Sequence, residues 1–337
     1  MPAKRHHFLP QFYLRGFLKH NRNQLAVIKI DNGDFFKTDT KNVGLETDWN
    51  RVCDDRSTAE EYFAKIDGAT SQILKKIVQH ETLPTDEDDR VLLLDFVARL
   101  SVHNPIIRNV LRKFQTDTFN HLGRWWTSSP RIYYEKMESQ DPDKLIPYEH
   151  MKRFVEGGAY EINFDHGYFL KHETEFIQVT LIPMLYNLNW SLLIAKDPTE
   201  SLVCSDRPVF MNPTFSQPPG ETEFIPDFSL TLPLNKQMCL YGDRLGILPE
   251  VYNIYKEKRA DASMLSVPFL NSRTTYGAQR HIYAGDLNWE IGTATGGKRD
   301  ANSLIGKKIR DVIDAWYNAY HSDDNSLKDL ALDTIRS

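Results

Sequence analysis

Apolar and polar positions change period along the chain, and each change marks a different kind of element. After Pro10, the apolar residues Phe12, Leu14, Phe17 and Leu18 share a helical face while Arg15 and Lys19 fall outside it. That spacing predicts a short amphipathic helix over 10–20, with the proline in its first turn where no amide is needed. Residues 24–30 and 35–38 are β-prone runs on either side of Asp31-Asn32-Gly33-Asp34. An Asn-Gly pair tolerates positive φ, so these runs predict a hairpin.

From Ser57 the period becomes helical. Ser57 and Glu60 have capping-box spacing, and Tyr62, Ile66, Ala69, Ile73, Leu74 and Ile77 follow at helical intervals. Further helices are predicted over 86–100 and 106–126, separated by Asn104-Pro105, and the apolar residues of this block are expected in the core. Two short helices are expected between 127 and 160. A long one over 165–186 should kink or end at Ile182-Pro183-Met184. Short β-prone runs then begin at Trp190, Leu202, Leu230 and Gln237, bounded by proline and glycine breaks, as an antiparallel sheet requires. A helix over 256–276 interrupted at Pro268, a strand over 280–284 and a helix over 304–320 complete the pattern.

These elements predict an α+β fold, a helical layer over 57–186 packed with a mainly antiparallel sheet over 189–284. One domain is expected over 1–286, with 287–337 a C-terminal extension carrying one helix. Composition is that of an ordinary globular protein, 41% hydrophobic and 26% charged over 337 residues. Cys53, Cys204 and Cys239 are widely spaced and form no C-x-x-C pair, which argues against a disulfide framework or a thiolate zinc site and for a reducing, cytoplasmic setting. No apolar run approaches a membrane span and none resembles a signal core, so no membrane partner is expected.

Charge changes the picture only locally. The net charge of −5 does not advertise nucleic acid, yet the first acidic residue is Asp31, so the opening stretch carries Lys4, Arg5, Arg15, Lys19 and Arg22 without a local counter-charge. Four constellations carry candidate chemistry: His6-His7, Ser205-Asp206-Arg207-Pro208, Pro233-Leu234-Asn235, and Asn271 with Arg280-His281. Histidine serves as acid, base or metal ligand near neutral pH. The alternatives are structural: histidines before a helix also cap backbone groups, and Ser205-Asp206 before Pro208 is a good turn.

The opening Arg5-His6-His7-Phe8-Leu9-Pro10-Gln11-Phe12-Tyr13-Leu14, together with Ser205-Asp206-Arg207-Pro208-Val209, Leu232-Pro233-Leu234 and Asn271…Ala278-Gln279-Arg280…Tyr283, resembles the uncharacterised prokaryotic family DUF4238. The resemblance runs from about Lys4 to Tyr283; that family commonly reads Ser-Asp-Asn-Pro in the middle motif, so Arg207 is a departure. It implies that these distant motifs belong to one domain and share a site. The expected function is a phosphodiester-directed hydrolase or nuclease, with His6, His7 and Asp206 catalytic or holding a divalent metal, and Arg5, Arg280 and Asn271 binding substrate. The alternatives are a noncatalytic module that binds a nucleotide or nucleic acid, and a structural polar network without a ligand.

Overall fold

The computed structural model describes residues 5–47, 49–50, 56–138, 145–164, 166–216, 225–244, 246, 248–254, 266–292 and 297–321. The opening forms a strand, β1 (Arg5–His7), and a short helix, α1 (Gln11–Arg15). The predicted hairpin follows as β2 (Gln24–Lys29) and β3 (Phe35–Asp39), with Gly33 at φ +68° in the turn. β4 (Leu45–Thr47) then returns to pair antiparallel with β1, placing His6 opposite Glu46.

The helix expected over 10–20 is cut to Gln11–Arg15, and the reason lies at Gly16. Its carbonyl accepts the Lys236 N–H at 3.2 Å, and a Cβ there would stand 3.1 Å from both the Leu234 carbonyl oxygen and the Asn235 Cβ. A distant turn therefore takes the bond that a further helical turn needs. Tyr13, Leu14 and Phe17 are buried, and the Tyr13 hydroxyl donates to the Pro233 carbonyl at 2.7 Å. The opening segment is docked, as its aromatic content requires.

The helical layer comprises α2 (Arg56–His80), α3 (Glu87–Val102), α4 (Pro105–Trp126), α5 (Pro130–Met137), α6 (Tyr148–Gly157) and α7 (His166–Phe176). A π-helical turn, Ile177–Leu181, leads into α8 (Ile182–Tyr186). Asp86 and Asn104 cap α3 and α4, accepting the N–H groups of Asp89 and Ile107. Because α2 starts at Arg56, Ser57 lies inside the helix rather than before it. The predicted kink appears as the π turn, where Ile182 N–H reaches back to the Ile177 carbonyl just ahead of Pro183. One expectation fails: Val110 and Phe114 of α4 are 59% and 67% exposed, so the apolar residues of this block are not all core.

The β-rich part contains β5 (Asn189–Ala195), β6 (Cys204–Ser205), β7 (Phe210–Ser216), β8 (Ile225–Pro233), β9 (Met238–Asp243) and β10 (Val251–Ile254). After α9 (Val267–Gly277) come β11 (His281–Ala284), β12 (Glu290–Gly292), β13 (Lys298–Asp300) and α10 (Ile309–His321). One sheet has the order β10-β5-β9-β8-β7 and another β3-β2-β11-β6; all pairings are antiparallel except β10 with β5. The fold is α+β, a helical layer against antiparallel-dominated sheets. Strands β1, β4, β7, β10, β12 and β13 escape the sequence pattern: β7 contains Pro213, tolerated because the strand lies at a sheet edge, and β10 is a short parallel addition. The part of the expected 256–276 helix before 266 lies outside the described residues, as does Cys53.

The principal core joins Leu14 of α1 and Phe17 just after it, Leu94 and Phe96 of α3, and Leu192, Leu232 and Leu240 of the larger sheet. Burying each such side chain is worth about 1.5–3 kcal/mol. A second cluster unites Ile28 and Ile30 with Trp289, Leu304, Ile309 and Ile313, and the Ile309 N–H donates to the Ile30 carbonyl at 3.0 Å. Residues beyond 286 thus pack on the hairpin. Among the described residues, no helix is long and apolar enough to cross a membrane.

Candidate functional site

The motifs singled out in the sequence converge only in part. His6 Nδ1 accepts the Asn50 N–H at 3.0 Å, which ties β1 to the chain after β4. Nε2 of His7 lies 3.0 Å from the Gln11 side-chain amide, whose oxygen faces Arg15 at 3.3 Å. That arrangement makes Gln11 the donor, so His7 carries its proton on Nδ1. Nδ1 is buried near the Val43 and Gly44 carbonyls without a hydrogen bond of good geometry, and burial lowers the pKa of His7 against the pull of those carbonyls. Arg5 is exposed on β1 opposite Thr47.

Asp206 meets neither imidazole. Its two oxygens accept the backbone N–H groups of Gln279 and Arg280 at 3.0 Å each and of His281 at 3.4 Å. The turn expected at Ser205 is present, with its hydroxyl accepting the Arg207 N–H at 3.2 Å. Asn271, wholly buried, accepts from Val203 N–H and donates to the carbonyls of Ser201 and Glu290. Both side chains hold backbone. Arg280 makes the link to the opening motif: its Nη1 lies 2.6 Å from Glu46, and its guanidinium carbon 5.7 Å from the centre of the Phe8 ring.

Titratable groups gather instead beneath the opening strand, where His7 of β1 shares a cavity with residues of α2 and α3 and a second cavity reaches α7. Two small cavities of about 30 and 20 Å³ meet at Phe63, Arg99 and His103. The first is also lined by His7, Asn50 and Asp67, the second by Tyr62, Asp95 and Glu173. Each has room for a water or two. Arg99 sits between two carboxylates, its Nε 2.8 Å from Asp95 and its Nη1 3.2 Å from Asp67. Burial raises the Asp67 pKa, and Arg99 offsets this only in part. Burial thus disfavours the ionised form of Asp67 even though a guanidinium stands against it.

His103 is held from both sides. The Trp49 indole can only donate, so its 2.9 Å bond makes Nε2 of His103 the acceptor; Nδ1–H then donates to Glu173 at 2.8 Å. Burial lowers the His103 pKa, so the ring is a neutral strut. Burial alone would raise the Glu173 pKa, but bonds from Arg108 and His103 prevail and lower it. Arg108 binds Glu173 through two nitrogens at 2.7 and 2.9 Å, and its guanidinium carbon lies 3.5 Å from the centre of the Trp49 ring. This buried network fixes one wall of the cleft. Among the described residues, no three His, Cys, Asp or Glu side chains are grouped to hold a metal ion, so the ligand set His6, His7 and Asp206 is not assembled.

Sequence reasoning missed Asp67, Asp95, Arg99, His103, Arg108 and Glu173. Two signals were available: Asp95 and Arg99 are four apart on one helix face, and His103 stands directly before the Asn104-Pro105 helix start. Nothing marks Asp67 or Glu173 among the other acids of their helices.

No curated protein and no solved structure matches the chain. A family model does match, over residues 5–287, which takes in the opening strand, all of the helices that frame the cleft and the Asp206 and Arg280 motifs; the chain belongs to the family described as protein of unknown function DUF4238.

Proposed function

We propose that the protein is a hydrolase whose site is the cleft beneath β1, with Asp67, Arg99 and His7 in the His/Asp/Arg roles that the sequence assigns to Asp206, Arg280 and His6-His7. The observation that supports it is the meeting of groups with displaced pKa values in one cavity. Asp67 is raised by burial, His7 is lowered by burial, and Arg99 stands against Asp67.

In this reading Asp67 is the proton donor to a leaving oxygen, and Arg99 binds the oxygen on which negative charge develops. His7 is the base: its Nε2 lone pair, now held by Gln11 at 3.0 Å, takes a proton from water when that amide turns away. A cavity of this size holds the attacking water, so the phosphodiester itself lies across the rim. Phosphodiesters are the substrate class because a forked guanidinium suits their anionic oxygens. Incubating the intact protein with RNA, DNA and cyclic nucleotides tests the reading. Turnover of one of them is expected, and no turnover of any contradicts it.

The Asp206 motif supports a structural role at its own position. Three backbone N–H groups bind its carboxylate, the Arg280 Nε stands 3.7 Å from it, and Asn271 is similarly committed. These residues join the sheet motifs to one another and take no part in the proposed chemistry.

A further inference from the structure

A larger groove of about 550 Å³ opens on the surface one helical turn further along α2, between α1, α2 and the turn joining β8 to β9. Its floor is apolar, with Phe12, Leu74 and Val78, and Val78 is 40% exposed. Three cations, one from each wall, stand around it: Arg15, Lys75 and Lys236. Among the described residues, no acidic one lines it.

Several surface lysines elsewhere pair with carboxylates. Lys19 pairs with Asp286, Lys29 with Asp34, Lys196 with Glu81, and Lys76, the neighbour of Lys75, with Asp89. Among the described residues no such ion pair forms at Arg15, Lys75 or Lys236, and the nearest polar contact of Arg15 is the neutral Gln11 amide. Three like charges from separate elements around an apolar floor leave a positive field that the protein itself does not neutralise. One wall is also rigid. Lys236 N–H donates to Gly16, and Asn235 Oδ1 accepts the N–H groups of Gln237 and Met238 at 2.7 and 2.8 Å, so α1 and the turn are locked together before any ligand arrives.

We infer that this groove binds a small nucleotide, its base against the Phe12 ring and aliphatic floor and its phosphate among Arg15, Lys75 and Lys236. The volume lies in the range of small-molecule sites. Three cations exceed what a single carboxylate needs and suit a phosphate dianion. Gln79 on the rim offers both a donor and an acceptor to a base edge. The site is separate from the cleft and stands whether or not the cleft hydrolyses anything.

Isothermal titration of the full chain with adenosine and guanosine 5′-mono- and diphosphates tests this, with inorganic phosphate and decanoate as comparison ligands. Saturable nucleotide binding that weakens with salt is expected, with inorganic phosphate much weaker. Lys75→Glu and Lys236→Glu should each weaken it by about tenfold or more, whereas Lys37→Glu on β3 should not. Asp67→Asn should bind as the wild type does, which separates this site from the cleft. Absence of saturation by every nucleotide, binding indifferent to both reversals at unchanged melting temperature, or tighter binding of decanoate than of any nucleotide would overturn the inference.

Discussion

Asp67 lies 3.2 Å from the Arg99 guanidinium, yet its carboxyl is held above its ordinary pKa because burial outweighs that contact. A raised acid contributes stability below its unfolded value and loses it as pH rises through the folded one. At pH 7, where the carboxyl of the unfolded chain is ionised, the raised Asp67 therefore weighs against folding. Asp67→Asn is expected to raise the urea midpoint at pH 7 and to lose that advantage near pH 3; an Asn variant less stable than wild type at pH 7 would contradict the electrostatic account.

The histidines and Glu173 act in the opposite sense. His103 and His7 are lowered from 6.5 by burial, and Glu173 is lowered from 4.5 by Arg108 and His103 against the pull of burial. Stability from such groups is complete above the unfolded values and is lost as pH falls through the folded ones. Wild-type stability is expected to decline below about pH 6.5, and again below about pH 4.5, as carboxylates and imidazoles take up protons. Replacing His103 by Gln should blunt the first of these losses in a pH series of denaturation curves.

Arg108 has no solvent-exposed surface, and its partner Glu173 is 2% exposed. Arg108→Ala leaves a buried carboxylate with only His103 as a partner, and should cost about 3–5 kcal/mol. Arg108→Ala/Glu173→Ala should recover part of this, a coupling that a double-mutant cycle reads directly.

Asp206→Ala strips three backbone N–H groups of their acceptor and should cost at least about 3 kcal/mol. Asp206→Asn keeps one accepting oxygen and should cost less. Equal and negligible losses in both would show that the carboxylate is not the anchor of the Gln279–Arg280–His281 backbone.

Local rules carried the sequence reading where neighbours decide the outcome. Asn32-Gly33 turned the hairpin because Gly33 needs positive φ, and Asn104-Pro105 began α4 because one caps and the other needs no amide. The opening motif announced its docking through Phe12, Tyr13 and Phe17. What stayed hidden depends on distant partners. α1 stops early because the turn at Asn235 and Lys236 meets Gly16, and Asp206 is structural because residues 279–281 bring their amides to it. The cleft groups come from Asp67, Arg99, His103 and Glu173, whose pairings span helices far apart in sequence. The conspicuous His-His pair lies on the strand whose His7 lines the proposed cleft, while Asp67 of the same lining lay unmarked on α2.

The most direct test of the hydrolase reading is turnover of phosphodiester substrates by wild type and by Asp67→Asn, compared at matched folded fractions. The account predicts turnover by the wild type and a loss of at least about a hundredfold in the variant, despite its greater stability. A variant that turns over as fast as wild type, or a wild type that cleaves none of the substrates, would contradict it.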